Sequence, residues 1–197
     1  TGHGYDSEGG RAIAASITSL LTGAAYKRSA ELAAIVGPYA GYARNADAHK
    51  RVMRKHAAAN DAVRTVTTMD KDIHRVATKA WDDVVKLGEK NGYRNAQASV
   101  LAPTGTIGFM MDCDTTGIEP DIALVKYKKL VGGGVMKIVN QSVPGVLRKL
   151  GYTPVQVEDM LRYVDEKEMI EGAPHLKDEH LPVFDCAFPP RDGRRSI

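Results

Sequence analysis

Two threonines flank a glycine, Thr104-Gly105-Thr106, between Pro103 and Ile107 near the middle of the chain. They lie where one apolar-rich segment, residues 96–102, breaks and a second apolar run, residues 107–111, begins. The first run reads as a strand and the second as the opening of a helix. At such a junction the N–H groups of the first helical turn lack intrahelical acceptors, and their summed dipole favours an anion. Thr104 and Thr106 would add hydroxyl donors. Gly105 would let the chain bend sharply and let a phosphate approach the backbone without meeting a Cβ. Turn chemistry also accounts for Pro-Thr-Gly-Thr, and most such tetrapeptides are simply turns.

The other reactive residue types are sparse. Asp112, Cys113 and Asp114 crowd just behind the loop, where an inert, partly buried thiol is favoured over a reactive one. The only other cysteine is Cys186, and no CxxC occurs, so neither a disulfide framework nor a zinc site is expected and a reducing compartment fits. His49 and His56 stand seven apart and could share a helix face, but no carboxylate lies at metal spacing, and no metal site is expected. His175 and His180 read as surface or capping residues. Lys126, Lys128 and Lys129 read as the solvent face of a strand rather than as phosphate ligands. The Gly132-Gly133-Gly134 triplet lacks the G-x-G-x-x-G spacing of a dinucleotide site.

These residues need elements to hold them, and the patterning supplies several. Ser7 is placed to cap a helix with Ile13, Ile17, Leu20 and Leu21 on one face, ending near Gly23. A second helix from about Ser29 turns Leu32, Ile35 and Val36 inward and stops at Gly37-Pro38. Residues 41–45 read as a connection, Asp47 as the cap of a third helix containing Val52 and Met53, and residues 60–70 as an exposed excursion. Ile73, Ala77, Ala80, Val84 and Leu87, with Trp81 beside them, mark a stronger helix ending at Gly88 or Gly92. Helix, strand and ligand loop in that order suit an α/β unit whose site lies at the carboxyl end of the strand.

Beyond Pro120, residues 123–131 alternate apolar and basic side chains as a strand would. The glycine triplet is then a turn or a place of close backbone approach, and residues 135–139 read as a second short strand. Ser142 with Pro144 opens a helix carrying Val143, Val146, Leu147 and Leu150. Thr153-Pro154 opens another, with Val157, Met160, Leu161 and Val164 inward. The tail, residues 189–197, reads as a connection into something absent. A net charge of +3 from 27 basic and 24 acidic residues is nearly balanced, and argues for neither a nucleic-acid nor a membrane surface. No apolar run approaches the length of a membrane span and no signal-peptide core opens the chain, so the expected location is cytoplasmic.

The longer string LAPTGTIGFMMDCDTTGIEP, followed by DIALVKYKKLVGGGVMKIVNQSVP, closely resembles the cobalamin-dependent (class II) ribonucleotide reductases. GGRAIAASITSLLTG, GPYAGYARN and NGYRNAQ before it agree, as does DEHLPVFDCAF after it, so the resemblance runs from about residue 10 to residue 188. It implies an α/β fold that is part of a ten-stranded barrel wrapped by helices, here helix-rich with a few short strands. It implies that Pro103, Thr104, Gly105, Thr106 and Ile107 hold the substrate phosphates. Gly117 and Glu119 would help shape the site, with Glu119 making a supporting hydrogen bond. Adenosylcobalamin is the implied cofactor. The implied partners are the ribonucleotide, the remainder of the reductase chain and an external dithiol reductant such as thioredoxin.

The family's radical chemistry needs a cysteine in an Asn-x-Cys-x-Glu setting and a redox-active cysteine pair. Cys113 is preceded two residues earlier by Met111 and Cys186 by Phe184, so neither matches, and no catalytic residue is assigned. Residues 1–197 are therefore expected to be a single internal segment of the catalytic barrel, without its N-terminal and C-terminal parts. The full-length enzyme would be a ribonucleoside-diphosphate reductase. The alternative is a stand-alone, non-catalytic phosphate-binding or interaction domain. The purified 197-residue chain is expected to form no deoxynucleotide with or without adenosylcobalamin, measured by product chromatography; any product would contradict the missing-cysteine argument.

Overall fold

Thr67 and Asp70 satisfy each other's backbone: the Thr67 hydroxyl accepts the Asp70 N–H, and the Asp70 carboxylate accepts the Thr67 N–H. This reciprocal cap starts helix α3, Thr68–Asn91. The computed structural model describes the chain except Ala102 and Leu130, and describes Phe109 by its backbone alone. Two other long helices accompany α3: α1, Glu8–Val36, and α2, Tyr42–Asp61. These three form one unit, Glu8–Leu101; the second comprises Thr1–Ser7 and Ala102–Ile197.

In the first unit, contacts advance together along α1 and α3. Trp81 Nε1 donates to Ser19 Oγ at 2.9 Å, Lys27 pairs with Asp83 at 2.7 Å, and Asn91 Nδ2 donates to the Ala30 carbonyl at 3.3 Å. The two helices therefore run parallel. Helix α2 returns antiparallel along α3, with Arg54 on Glu89 and Asn60 on Thr78. The core is Tyr26, Ala30, Tyr42, Met53, Trp81, Val84 and Tyr93.

Several expectations are corrected in this unit. The two helices expected before Gly37 are one. Gly23 does not end the first because the Trp81 indole packs against it, where a Cβ would stand 3.2 Å from Nε1. That contact offsets the roughly 1 kcal/mol by which a mid-helix glycine is disfavoured relative to alanine. The buried face of α1 is not the one expected. Ile17 and Leu21 are 48% and 65% exposed, and the helix buries Ala12, Ile13, Ser16, Tyr26, Ser29, Ala30 and Ala33. Helix α2 begins at Tyr42 rather than at an Asp47 cap, because Tyr42 is held against Tyr39, His49 and Tyr93. Residues 61–69 are exposed or half-buried, as an excursion would be, but the stretch is pinned at both ends, where Asn60 and Asp70 are buried and bonded.

The strand expected over residues 96–102 does not form at the described residues, and Ala102 lies outside them. Its neighbourhood is taken by α1 instead. The Arg94 N–H donates to the Ser29 carbonyl, the Asn95 N–H to Ser29 Oγ, and the Ala98 N–H to the Tyr26 hydroxyl. A ladder cannot use an amide already held elsewhere, as that of Ala98 is within the expected strand.

The second unit begins its regular structure with the short helix α4, Gly105–Met110, and continues to an antiparallel hairpin. Its strands are β1, Val125–Lys129, and β2, Val135–Val139, with Val125 opposite Val139 and Lys129 opposite Val135. Leu130, inside the expected strand, lies outside the described residues. Helices α5, Val143–Lys149, and α6, Pro154–Lys167, follow, then a 3-10 helix, Asp178–Phe184. Thr153 and Gln156 repeat the reciprocal cap at α6. Val125, Val143, Leu147, Val157, Met160, Val164, Ile170 and Phe184 form the core. The tail folds back: the Ile197 N–H donates to the Cys186 carbonyl, and Arg195 forks onto Asp185 at 2.8–2.9 Å.

The architecture is helix-rich α/β, with one two-stranded sheet among the described residues. No described helix is long and apolar enough to cross a membrane.

Burial alone would raise the Asp70 carboxyl, but bonds from the Thr67 hydroxyl and the Val66, Thr67 and Asp70 amides outweigh it and hold it at about 2. A carboxylate depressed on folding stabilises fully above its ordinary value of 3.8 and loses that contribution as pH falls towards 2. Hydrogen-exchange protection of the Val66 and Thr67 amides should drop between pH 4 and pH 2. Asp70→Asn should lower their protection at neutral pH and flatten that dependence; an unchanged profile would contradict the cap.

Candidate functional site

Thr104 gives both of its hydrogens to one acceptor. Its N–H and its hydroxyl each donate to the Thr116 carbonyl at 2.8 Å. Thr116 does the same one step on, its N–H and hydroxyl donating to Glu119 Oε1 at 2.8 and 2.9 Å. Between them the chain passes through α4, turns at Asp112 with a φ of 56°, and comes back, the Cys113 N–H donating to the Gly108 carbonyl at 2.9 Å. The Gly108 N–H donates to the Thr104 carbonyl at 2.5 Å, closing the first turn of α4. Residues 104–119 are thus a closed loop.

The outer side of the return is anchored separately. Lys126 Nζ donates to the Asp114 carbonyl at 2.7 Å and to Asp121 Oδ1 at 2.9 Å, and Asp121 Oδ2 accepts from Asn140 Nδ2 at 2.7 Å. The Tyr5 hydroxyl donates to the Ile118 carbonyl at 2.8 Å. Hydrogen bonds from its own amide, then from the Thr116 hydroxyl and amide, hold the Glu119 carboxyl below the ordinary glutamate value.

The five residues marked in the sequence fall together at the start of α4. Pro103, Thr104 and Thr106 are exposed, Ile107 is largely so, and Gly105 is half-buried. Gly105 does not lie in the left-handed region, so the bend does not require glycine there. A Cβ built on it meets no atom within 4 Å. The amides of Gly105, Thr106 and Ile107 precede the first intrahelical acceptor, since the Thr104 carbonyl is taken by Gly108. Gly117 and Glu119 lie on the return. The Gly117 carbonyl accepts the Thr115 hydroxyl at 2.9 Å.

The remaining candidates are scattered. Cys113 is exposed, not partly buried; Cys186 is buried, and burial, then the Asp121 and Asp185 charges, push its thiol up to about 11. Lys126 is not on a solvent face but part-buried in its ion pair. His49 sits stacked on Tyr93 at 4.5 Å among tyrosines, and burial lowers its pKa; His56 lies over Trp81. His180 is neither a surface nor a capping residue: its Nδ1 shares a 2.6 Å hydrogen bond with the Tyr152 hydroxyl. No three His, Cys, Asp or Glu side chains converge as a metal group among the described residues. Sequence reasoning missed Thr116. The legible signal was Thr116-x-x-Glu119, the spacing of a capping box, in which the carboxylate reaches back to the threonine amide.

The sequence model for the barrel domain of ribonucleotide reductase matches residues 1–194. The chain belongs to the ribonucleotide reductase barrel family. A vitamin B12-dependent ribonucleotide reductase of Streptantibioticus cattleyicolor is 64% identical over 197 residues, which are all of this chain and 32% of that protein. The reductase of that name from Streptomyces avermitilis is 61% identical over 197 residues, 20% of its length. That from Rhodopirellula baltica is 55% identical over 193 residues, 98% of this chain and 18% of the relative. The chain thus spans between about a fifth and a third of the length of these reductases.

The two cysteines give a direct check of the site's exposure. At pH 8 a thiol held near 11 is ionised in only about one molecule in a thousand. Iodoacetamide should label Cys113 in the native chain far faster than Cys186, read by peptide mass spectrometry. Equal rates would contradict the described burial.

Proposed function

We propose that the chain is an internal segment of the catalytic barrel of an adenosylcobalamin-dependent ribonucleotide reductase, and that residues 103–107 form the loop that holds the substrate phosphates. In this reading the full-length enzyme converts ribonucleotides to 2′-deoxyribonucleotides in the cytoplasm, on a ten-stranded barrel, drawing electrons from an external dithiol such as thioredoxin. The identity with B12-dependent reductases along the whole chain supports it. The alternative of a stand-alone phosphate-binding or interaction domain is less well supported, because these relatives carry the matching stretch inside a much longer chain.

The observation that carries the loop assignment is the open backbone at Gly105, where a Cβ meets nothing, beside amides that precede the first helical acceptor. Thr104 has a different part from the one its sequence suggests. Its hydroxyl is committed to the Thr116 carbonyl, so it anchors the loop. The donors offered to a phosphate are the Thr106 hydroxyl and the amides of Gly105, Thr106 and Ile107. Held there, a phosphate would fix the ribose for the radical step.

Adenosylcobalamin would supply radical initiation when bound. The cleft lined by groups such as Leu124, Met169, Phe184 and Phe188 does not fit it: at about 390 Å³ including its open mouth, it lies at the small end of the about 300–1,000 Å³ of drug-sized sites. We assign the cofactor's seat, with the radical cysteine, to other parts of the enzyme.

Gly105→Ala in the full-length enzyme tests the loop. Nothing within 4 Å opposes the methyl group, so the melting temperature should hold. The Michaelis constant for ribonucleotide should nevertheless rise about tenfold, because the methyl stands where the phosphate must meet the amides. Thr106→Val should lose one charge-assisted hydrogen bond, about 1.5–3 kcal/mol or roughly ten- to hundredfold in affinity. Unchanged affinity in both variants would reduce the loop to a structural turn.

A further inference from the structure

The Glu119 carboxylate is a poor candidate to touch a phosphate, because like charges repel at close range. Its position therefore asks for another use. Glu119 Oε1 receives both hydrogens that Thr116 can give, and the Thr116 carbonyl receives both that Thr104 can give. These four bonds stand in series. The Thr116 backbone and rotamer are set from Glu119, and the Thr104 backbone and rotamer are set from Thr116.

Glu119 is itself held. Pro120 disfavours helical backbone at Glu119, and the Tyr5 hydroxyl fixes the preceding carbonyl of Ile118 at 2.8 Å. The far side of the return is pinned through Lys126 on the Asp114 carbonyl. Helix α4 has six residues, too few to keep its own first turn in place, so its starting residue takes its orientation from outside.

We propose that Glu119, acting through Thr116, is a positioning residue that sets the phosphate loop for substrate. The inference rests on the phosphate-loop reading above and adds to it the device that orients Thr104. A charged acceptor strengthens both Thr116 bonds, which is what glutamate supplies here beyond a neutral side chain.

The experiment uses the full-length reductase with Glu119→Ala, Glu119→Gln and Thr116→Val, and Thr106→Val as the probe of the underlying reading. The readouts are KM and kcat for ribonucleotide, inhibition by inorganic pyrophosphate, and affinity for adenosylcobalamin. Glu119→Ala should raise KM about tenfold and weaken pyrophosphate inhibition comparably, with kcat within about twofold and cobalamin affinity unchanged. Glu119→Gln keeps an acceptor oxygen and should recover most of the loss, to about two- to threefold. If Glu119→Ala does not fold, Thr116→Val carries the test, with a KM rise of about threefold expected and none overturning the inference.

An unchanged KM in folded Glu119→Ala, with KM raised in Thr106→Val, would overturn the positioning role and leave the phosphate loop standing. Unchanged KM in both would overturn the two together. A parallel loss of kcat, substrate affinity and cobalamin affinity would show a merely structural residue and also overturn the inference.

Discussion

The Thr116 carbonyl has two lone pairs, and Thr104 fills both. That arrangement makes residues 104–119 one object instead of a short helix followed by a wandering return. A six-residue helix has almost no stability of its own, because its few internal bonds do not offset the conformational entropy of ordering it. Everything proposed for the loop therefore depends on bonds between residues about a dozen positions apart. The Lys126, Asp121 and Asn140 links serve the same end, tying the return to the hairpin and to the approach of α5.

The helical unit meets the same demand differently. Residues 93–99 join no ladder, and Thr22, Tyr26 and Ser29 of α1 take polar groups of this segment. Close by, His49 is packed among Tyr26, Tyr39, Tyr42 and Tyr93, sharing a 3.2 Å hydrogen bond with the Tyr39 hydroxyl. Desolvation lowers the pKa of this imidazole and so favours its neutral form, which suits a packing role. The spacing of His49 and His56, suggestive of a shared ligand face, reflects two aromatic contacts with different partners.

Local signals were legible where they were self-contained. The end of α3 at Gly92, the second of two glycines that could stop it, the Thr153-Pro154 start of α6 and the paired short strands around the glycine triplet all rest on short-range chemistry. The errors share a cause. Gly23 reads as a stop until Trp81 is known to lie on it, and residues 96–102 read as a strand until their neighbourhood is known to bind α1. Asn60 and Asp70 look like loop residues because their partners, Thr78 and the 66–67 amides, cannot be inferred from polarity alone. At the candidate site, residue types pointed to the right stretch. They did not show which donors were already spent, since a threonine engaged with a carbonyl twelve residues away looks the same in sequence as one free for a ligand.

Away from the Trp81 indole on Gly23, helix α1 meets α3 largely across small side chains, and such a surface has little to say about longitudinal placement. Alanine and glycine repeating every three or four residues would let one helix slide along the other by a turn with modest loss of contact. The polar chain from Trp81 through Ser19 and Asn60 to Thr78 removes that freedom. A slipped arrangement would strand an indole N–H and a carboxamide in a dry interior, each an expense of about 1–3 kcal/mol. Ser19 and Asn60 therefore act as a detent: the smooth contact supplies adhesion, and the polar chain selects the one notch at which it stops.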